Sequence, residues 1–403
     1  MSTPGPAEAG RPPGGSRKVA KPHFLESWPA VILSEEIVRE GFGIEDKAIP
    51  QADKLALIEA LSATGLKRIT LGAFVSPRYV PQMAGFDALL RAVKPVPGVA
   101  YGTFVHTPKA RKLAEGFVPP LTVEQDMCTL FIDICDVHQR RNMNRSVEQA
   151  MATWPEVIAD ARDRGVTKAR VGVASAWGSN FLGRFSQRYL LDSLQRQFDA
   201  LEGAGLTVIE IGLHDSQSFA LPHLVEADLQ ATLQRWPAVK HYHLHLHDAR
   251  GMALPCIYAG LRTLDDTHTL LLESTLGGIG GGQYCGNGTA SGMAATEDLV
   301  HMLEGMGIST GVDLDKLIDC VWLLEKIIGR PAMGHVSKAG PRPEQAADFY
   351  DANLPAVESL QAARHFKQGP AAIGSEGYVP WREPITGPYF HDNCALDPHR
   401  KIP

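Results

Sequence analysis

At 403 residues the chain is long enough for two or three average domains, or for one large α/β barrel with appendages. Its net charge of −6 carries no basic block, which argues against nucleic-acid binding, and no apolar run approaches the 18 or so residues that span a bilayer. Six cysteines without paired short spacings fit a reducing cytoplasm better than a disulfide scaffold; Cys128/Cys135 and Cys320/Cys394 make no zinc pattern and read as structural.

Residues 1–22 are rich in Pro, Gly, Ser and Ala without an apolar segment, and read as a flexible N-terminal tail. Apolar runs of strand length then follow at 31–37, 67–74, 99–105, 129–135, 169–175, 207–213, 241–247 and 269–275. Between them, apolar residues at helical spacing with charges on the opposite face predict helices over 51–64, 146–164, 186–204, 224–236 and 255–264. Strand alternating with helix in this way predicts a (β/α)8 TIM barrel over 23–310, with its chemistry at the carboxyl ends of the strands. Residues 311–403 hold helical pieces over 315–328 and 343–366 and a Gly/Pro/aromatic stretch over 369–388. They read as a C-terminal extension packing on the barrel or on a neighbouring subunit.

Two motifs carry chemistry. His245-Leu246-His247-Asp248 closes the seventh run; residues i and i+2 of a strand face one side, so two imidazoles project together and suit a divalent ion, or are two satisfied core histidines. After the eighth run comes Gly277-Gly-Ile-Gly-Gly-Gly-Gln-Tyr-Cys-Gly-Asn-Gly288, a segment able to approach a ligand closely, followed by the helix start Thr296-Glu-Asp-Leu-Val-His-Met-Leu303.

Together with Phe74-Val-Ser-Pro-Arg-Tyr-Val-Pro-Gln-Met83 and Asn142-Met-Asn-Arg-Ser-Val-Glu148, these motifs resemble 3-hydroxy-3-methylglutaryl-CoA lyase and its relatives, the metal-dependent TIM-barrel lyases and Claisen-condensing enzymes (the pyruvate carboxyltransferase-domain superfamily). The match runs from about residue 31 to about residue 330 and keeps the motifs in the family's order. The resemblance implies a ligand set of Glu40, His245 and His247, with Glu40 in place of the family's aspartate, and Arg39 as the cation that stabilises an enolate. The family's fourth ligand, an asparagine, falls on Met293 here, a poor partner for a hard ion; Asn287 or a water would take its place. The family's loop cysteine falls on Gly282, and Cys285 is either its substitute or an ordinary thiol. An acidic residue at the end of the second strand is Thr70, and the family's Gly-Asp-Thr is His214-Asp215-Ser216, so His214 and Asp215 become candidates for proton transfer, with an imidazole pKa around neutrality expected.

The scaffold motifs stay lyase-like while the changes gather at the catalytic face. The expectation is a divalent-metal-dependent carbon–carbon lyase acting on a 3-hydroxyacyl-CoA or related 3-hydroxy acid other than hydroxymethylglutaryl-CoA. The metal is expected to be Mg or Mn, with Co or Zn as alternatives, and the protein a cytoplasmic homodimer or homotetramer. A condensing synthase or aldolase and an inactive binding homologue are the alternatives. The loop lacks the Glu-Arg of the synthases, and an inactive descendant has no reason to keep Arg39, Glu40 and both histidines together.

Overall fold

All eight apolar runs are strands of one parallel sheet: β1 (Ala30–Glu35), β2 (Arg68–Ala73), β3 (Ala100–Phe104), β4 (Cys128–Asp133), β5 (Lys168–Ala174), β6 (Thr207–Asp215), β7 (His241–Leu246) and β8 (Thr269–Ser274). The computed structural model describes residues 27–105, 107–122, 127–281 and 292–343, and farther along 352–353, 355–356, 378–379 and 381–386. The strand order β3-β2-β1-β8-β7-β6-β5-β4 begins and ends on strands consecutive in the chain, the order of an α/β TIM barrel.

Strand β7 shows why such a barrel forms from this sequence. Its outward residues Tyr242, Leu244 and Leu246 are buried against helices, while the alternating histidines His243 and His245 turn to the interior. Register lines up Ile32, Leu271, His243, Gly212, Gly172 and Phe131 across six neighbouring strands. The two glycines in that row make room. A Cβ on Gly172 would sit 2.8 Å from the Phe131 ring, and one on Gly212 would sit 3.1 Å from the His214 imidazole. The space they leave lets the Phe131 and His214 rings meet at 4.8 Å between centroids.

Around the sheet lie helices α1 (Gln51–Ser62), α2 (Phe86–Ala92), α3 (Pro108–Glu115), α4 (Asp136–Met143), α5 (Val147–Met151), α6 (Trp154–Asp163), α7 (Gln187–Glu202), α8 (Pro222–Arg235), α9 (Ala253–Thr263), α10 (Thr296–Gly305), α11 (Leu314–Ile328) and α12 (Val336–Ala339). The single helix expected over 146–164 is two: α5 opens on a capping box between Ser146 and Gln149, and Pro155 in the first turn of α6 starts a new helix. The short helices α2, α3 and α4 span too few turns to show a clear apolar period.

The compact unit carrying the barrel runs from Ser27 to Gly340, and α11 and α12 belong to it. Residues 1–26 and 341–403 form a second unit, in which Ala356 and Tyr378 bridge and the Asn353 side chain exchanges two hydrogen bonds with the Ile385 backbone. Among the described residues no helix is long and apolar enough to cross a membrane.

Candidate metal centre at the barrel mouth

The first strand ends one residue pair earlier than its apolar run. At Glu36 the chain turns into a π-helical turn over Ile37–Gly41, in which the Glu36 carbonyl accepts from the amides of Arg39 and Glu40 at 3.1 and 2.7 Å. That turn carries Arg39 and Glu40 over the carboxyl end of the barrel, toward the histidines of β7.

There, Glu40, His245 and His247 bring three donor atoms within 4.8 Å of one another. The two Nε2 atoms stand 2.9 Å apart, and His247 Nε2 lies 3.3 Å from Glu40 Oε1. Neighbouring corners of an octahedron with bonds of about 2.1 Å are separated by about 3 Å, so the spacing suits a divalent ion. His245 Nδ1 is engaged by Glu273 Oε2 at 2.5 Å, which leaves its Nε2 for the cluster, the usual orientation of a ligating imidazole.

Charge supports the same use. Arg39 is gripped by three carboxylates: Nε to Glu36 at 2.6 Å, Nη1 to Glu40 at 2.9 Å and Nη2 to Glu273 at 3.4 Å. Burial opposes ionisation of Glu40, yet Arg39 and the two histidines hold its carboxyl well below the usual range. Burial likewise opposes ionisation of Glu273, and His243 and His245 hold it low. Burial and the Glu273 charge push Glu36 up, with Arg39 opposing. Two ionised carboxylates beside two imidazole nitrogens give a mixed O and N donor set of the kind that holds a divalent cation.

Three of the groups assembled here are absent from the sequence-based candidates. Glu36 enters from β1 and accepts from Thr70 Oγ1 at 2.6 Å and from Ser34 Oγ at 2.8 Å. A carboxylate thus reaches the place where Thr70 has replaced the acidic residue expected on β2. Glu273 binds His245, Arg39 and, at 3.3 Å, His243. A lone Glu in the run Thr-Leu-Leu-Leu-Glu-Ser, and a third alternating His in β7, were the signals for Glu273 and His243.

His214 packs its ring on His245 at 5.1 Å and meets His243 edge-on at 4.5 Å. The expected pKa near neutrality is not found. Burial, then the neighbouring His243 and His245, push this imidazole well below its ordinary value, so it is neutral. Asp215 turns the other way: its oxygens accept from the amides of Phe219 and Ala220 at 2.9 and 2.7 Å, fixing the loop after β6. Met293 is buried and its backbone bridges His247, beside the cluster. Cys285, Asn287 and Gly282 lie outside the described residues.

Comparison with known proteins gives the family. Residues 30–323 match the family model described as HMGL-like. The chain is 31% identical over 304 residues to the mitochondrial hydroxymethylglutaryl-CoA lyase of Gallus gallus, covering 75% of this chain and 95% of that one. Among solved structures, the HMG-CoA lyase of Bacillis subtilis superposes with a TM-score of 0.66 at 28% identity, covering 77% of this chain and 98% of that one. An HMG-CoA lyase from Acenitobacter baumannii, in complex with coenzyme A and 3-methylmalate, gives 0.65 at 26%, covering 78% and 96%.

Proposed function

The chain belongs to the HMGL-like family, and from that premise we propose that it is a divalent-metal-dependent carbon–carbon lyase acting on a 3-hydroxyacyl-CoA or related 3-hydroxy acid other than hydroxymethylglutaryl-CoA. The observation that carries the reading is the convergence of Glu40, His245 and His247 beside the Arg39 guanidinium at the barrel mouth. These three side chains would hold the ion, Mg or Mn by its oxygen-rich family chemistry, with Asn287 proposed as a further ligand. A bound divalent ion supplies Lewis-acid polarisation of the substrate's oxygens.

The chain's own residues do the rest. Arg39, fixed by three carboxylates, offers its positive charge where an enolate oxygen develops as the bond between C2 and C3 breaks. His214, packed on His245, is placed to accept the proton of the 3-hydroxyl. Asp215, with its oxygens committed to backbone amides, shapes the loop after β6. The departures Thr70 and His214 from the family's pattern lie beside the cluster, Thr70 donating to Glu36 and His214 packing on His245, and they favour a different acyl group. Cys285 is proposed as a loop thiol acting on the same substrate. The test is a screen of CoA thioesters and free 3-hydroxy acids with Mg- or Mn-loaded protein for release of acetyl-CoA, acetate or pyruvate. Cleavage of a 3-hydroxyacyl substrate faster than hydroxymethylglutaryl-CoA is the expected result, and a preference for hydroxymethylglutaryl-CoA would overturn the substrate assignment.

A further inference from the structure

Strand β4 lies four places from β8 in the order of eight strands, so it faces the metal cluster across the barrel. Phe131 on β4 points inward, since its ring reaches His214. Asp133, two residues on, therefore points inward as well and one step nearer the mouth. It stands in register with Ala174, at the end of the strand beside β6. A buried carboxylate requires partners, and it has them. Asp133 Oδ1 accepts from the Cys135 amide at 2.9 Å, and Oδ2 is paired with His138 Nδ1. Gln139 Oε1 accepts from the Asp133 amide at 3.1 Å, which ties the strand end to α4. Cys135 Sγ caps α4 by accepting from the His138 amide and donates to Ser179 Oγ at 3.0 Å. The His138 ring stacks on Phe181.

This arrangement fixes an imidazole by its Nδ1 and turns Nε2 away from the carboxylate, the orientation that an acid–base histidine has beside an aspartate. It stands on the opposite side of the mouth from Arg39 and the metal cluster. We propose that His138, oriented by Asp133, is the second proton-transfer residue of the site and protonates the substrate carbon on the face away from the metal cluster. This rests on the lyase reading. In that reaction the hydroxyl proton passes to His214 as the C2–C3 bond breaks, and the bond's electron pair enters the acyl group as an enolate. The enolate carbon then takes the proton from Nε2 of the His138 imidazolium, forming the new C–H bond. His138 regains a proton from solvent and His214 releases one, so charge and protons balance. Asp133 acts through His138 and is a positioning residue.

The half-reaction is accessible without the native substrate. Full-length protein loaded with Mg is incubated in D2O with acetyl-CoA or with pyruvate, and deuterium entering the methyl group is followed by NMR. Wild-type protein exchanges these protons. His138→Gln lowers the exchange rate about a hundredfold while bound metal, measured by elemental analysis, stays at the wild-type level. Asp133→Asn lowers it less and moves the pH profile of exchange, an effect that a merely structural contact would not produce. The 15N signals of the His138 ring, identified by their loss in His138→Gln, shift when acetyl-CoA is added to wild-type protein. If His138→Gln retains its metal and exchanges at the wild-type rate, the assignment of His138 is wrong and the lyase reading stands. If wild-type protein exchanges neither probe, the lyase reading falls and the role of His138 falls with it.

Discussion

Two pairs of glutamates near the carboxyl end of the barrel behave in opposite ways. Glu40 and Glu273 face Arg39 and the imidazoles of β7, and despite their burial they are held in the ionised form. Glu35 and Glu297 lie under the start of the glycine-rich segment and face amides and a hydroxyl. Glu35 accepts from Ile37, Leu276 and Thr296 Oγ1, and Glu297 accepts from Gly277. Burial pushes their carboxyls up to about 7 and about 8. Residue type is the same in both sets, and Glu40 and Glu273 keep about 15% of their side chains exposed while Glu35 and Glu297 have none. Partners add to that difference, since a cation fixes a carboxylate whereas neutral donors only offset part of its desolvation. The first set is built to hold a charge and the second to hold a loop.

Removing the cluster's imidazoles breaks the first set most severely. His245→Ala or His247→Ala is expected to weaken binding of the divalent ion by more than about a hundredfold while the barrel still folds, because the core does not rest on these rings. Elemental analysis after dialysis, with circular dichroism on the same samples, reads both.

A smaller effect separates charge from ligation. Arg39→Met is expected to lower kcat by about a hundredfold with metal retained, since the guanidinium acts where negative charge develops. Glu40→Gln instead weakens metal binding first. Titration calorimetry with Mn, run beside steady-state kinetics, distinguishes the two; equal metal loss in both variants would mean that Arg39 serves only to hold Glu40.

The last effect, one of stability, belongs to the second set. A carboxyl whose pKa is raised by folding binds its proton more tightly in the native state, so the stability it contributes is lost as pH rises from about 4.5 toward 8. Glu297→Gln keeps an acceptor for the Gly277 amide and carries no charge. The variant is expected to gain on wild type by about 3 kcal/mol at pH 8.5 relative to pH 5.5, at roughly 1.4 kcal/mol per pH unit over which only the unfolded carboxyl is ionised. Thermal unfolding across that range measures it; parallel Tm profiles for the two proteins would contradict the raised pKa.

The eight strands were legible because barrel strands are buried on both faces and read as apolar runs, and His245 and His247 because a period of two is local. Glu273 and His243 obey the same alternation, so their inward direction was legible although their role depends on neighbours on other strands. Glu36 was not legible. A carboxylate displaced from β2 to β1 is a match in space only, visible once Thr70 is seen to donate to it. Asp133 and His138 were missed for a similar reason: their spacing of five crosses from strand to loop to helix, and no single period joins them. The low pKa of His214 depends on the packing of His243 and His245 around it, which composition does not report.

The central claim is that one divalent ion held by Glu40, His245 and His247 is required for carbon–carbon cleavage. Its most direct test takes the best substrate from the 3-hydroxyacyl screen and measures product release by wild-type protein stripped with a chelator, then reloaded with Mn. Release is expected to vanish on stripping and to return as Mn reaches one ion per chain, with no return in His245→Ala. Undiminished cleavage by the stripped protein, or full Mn-dependent recovery in His245→Ala, would contradict it.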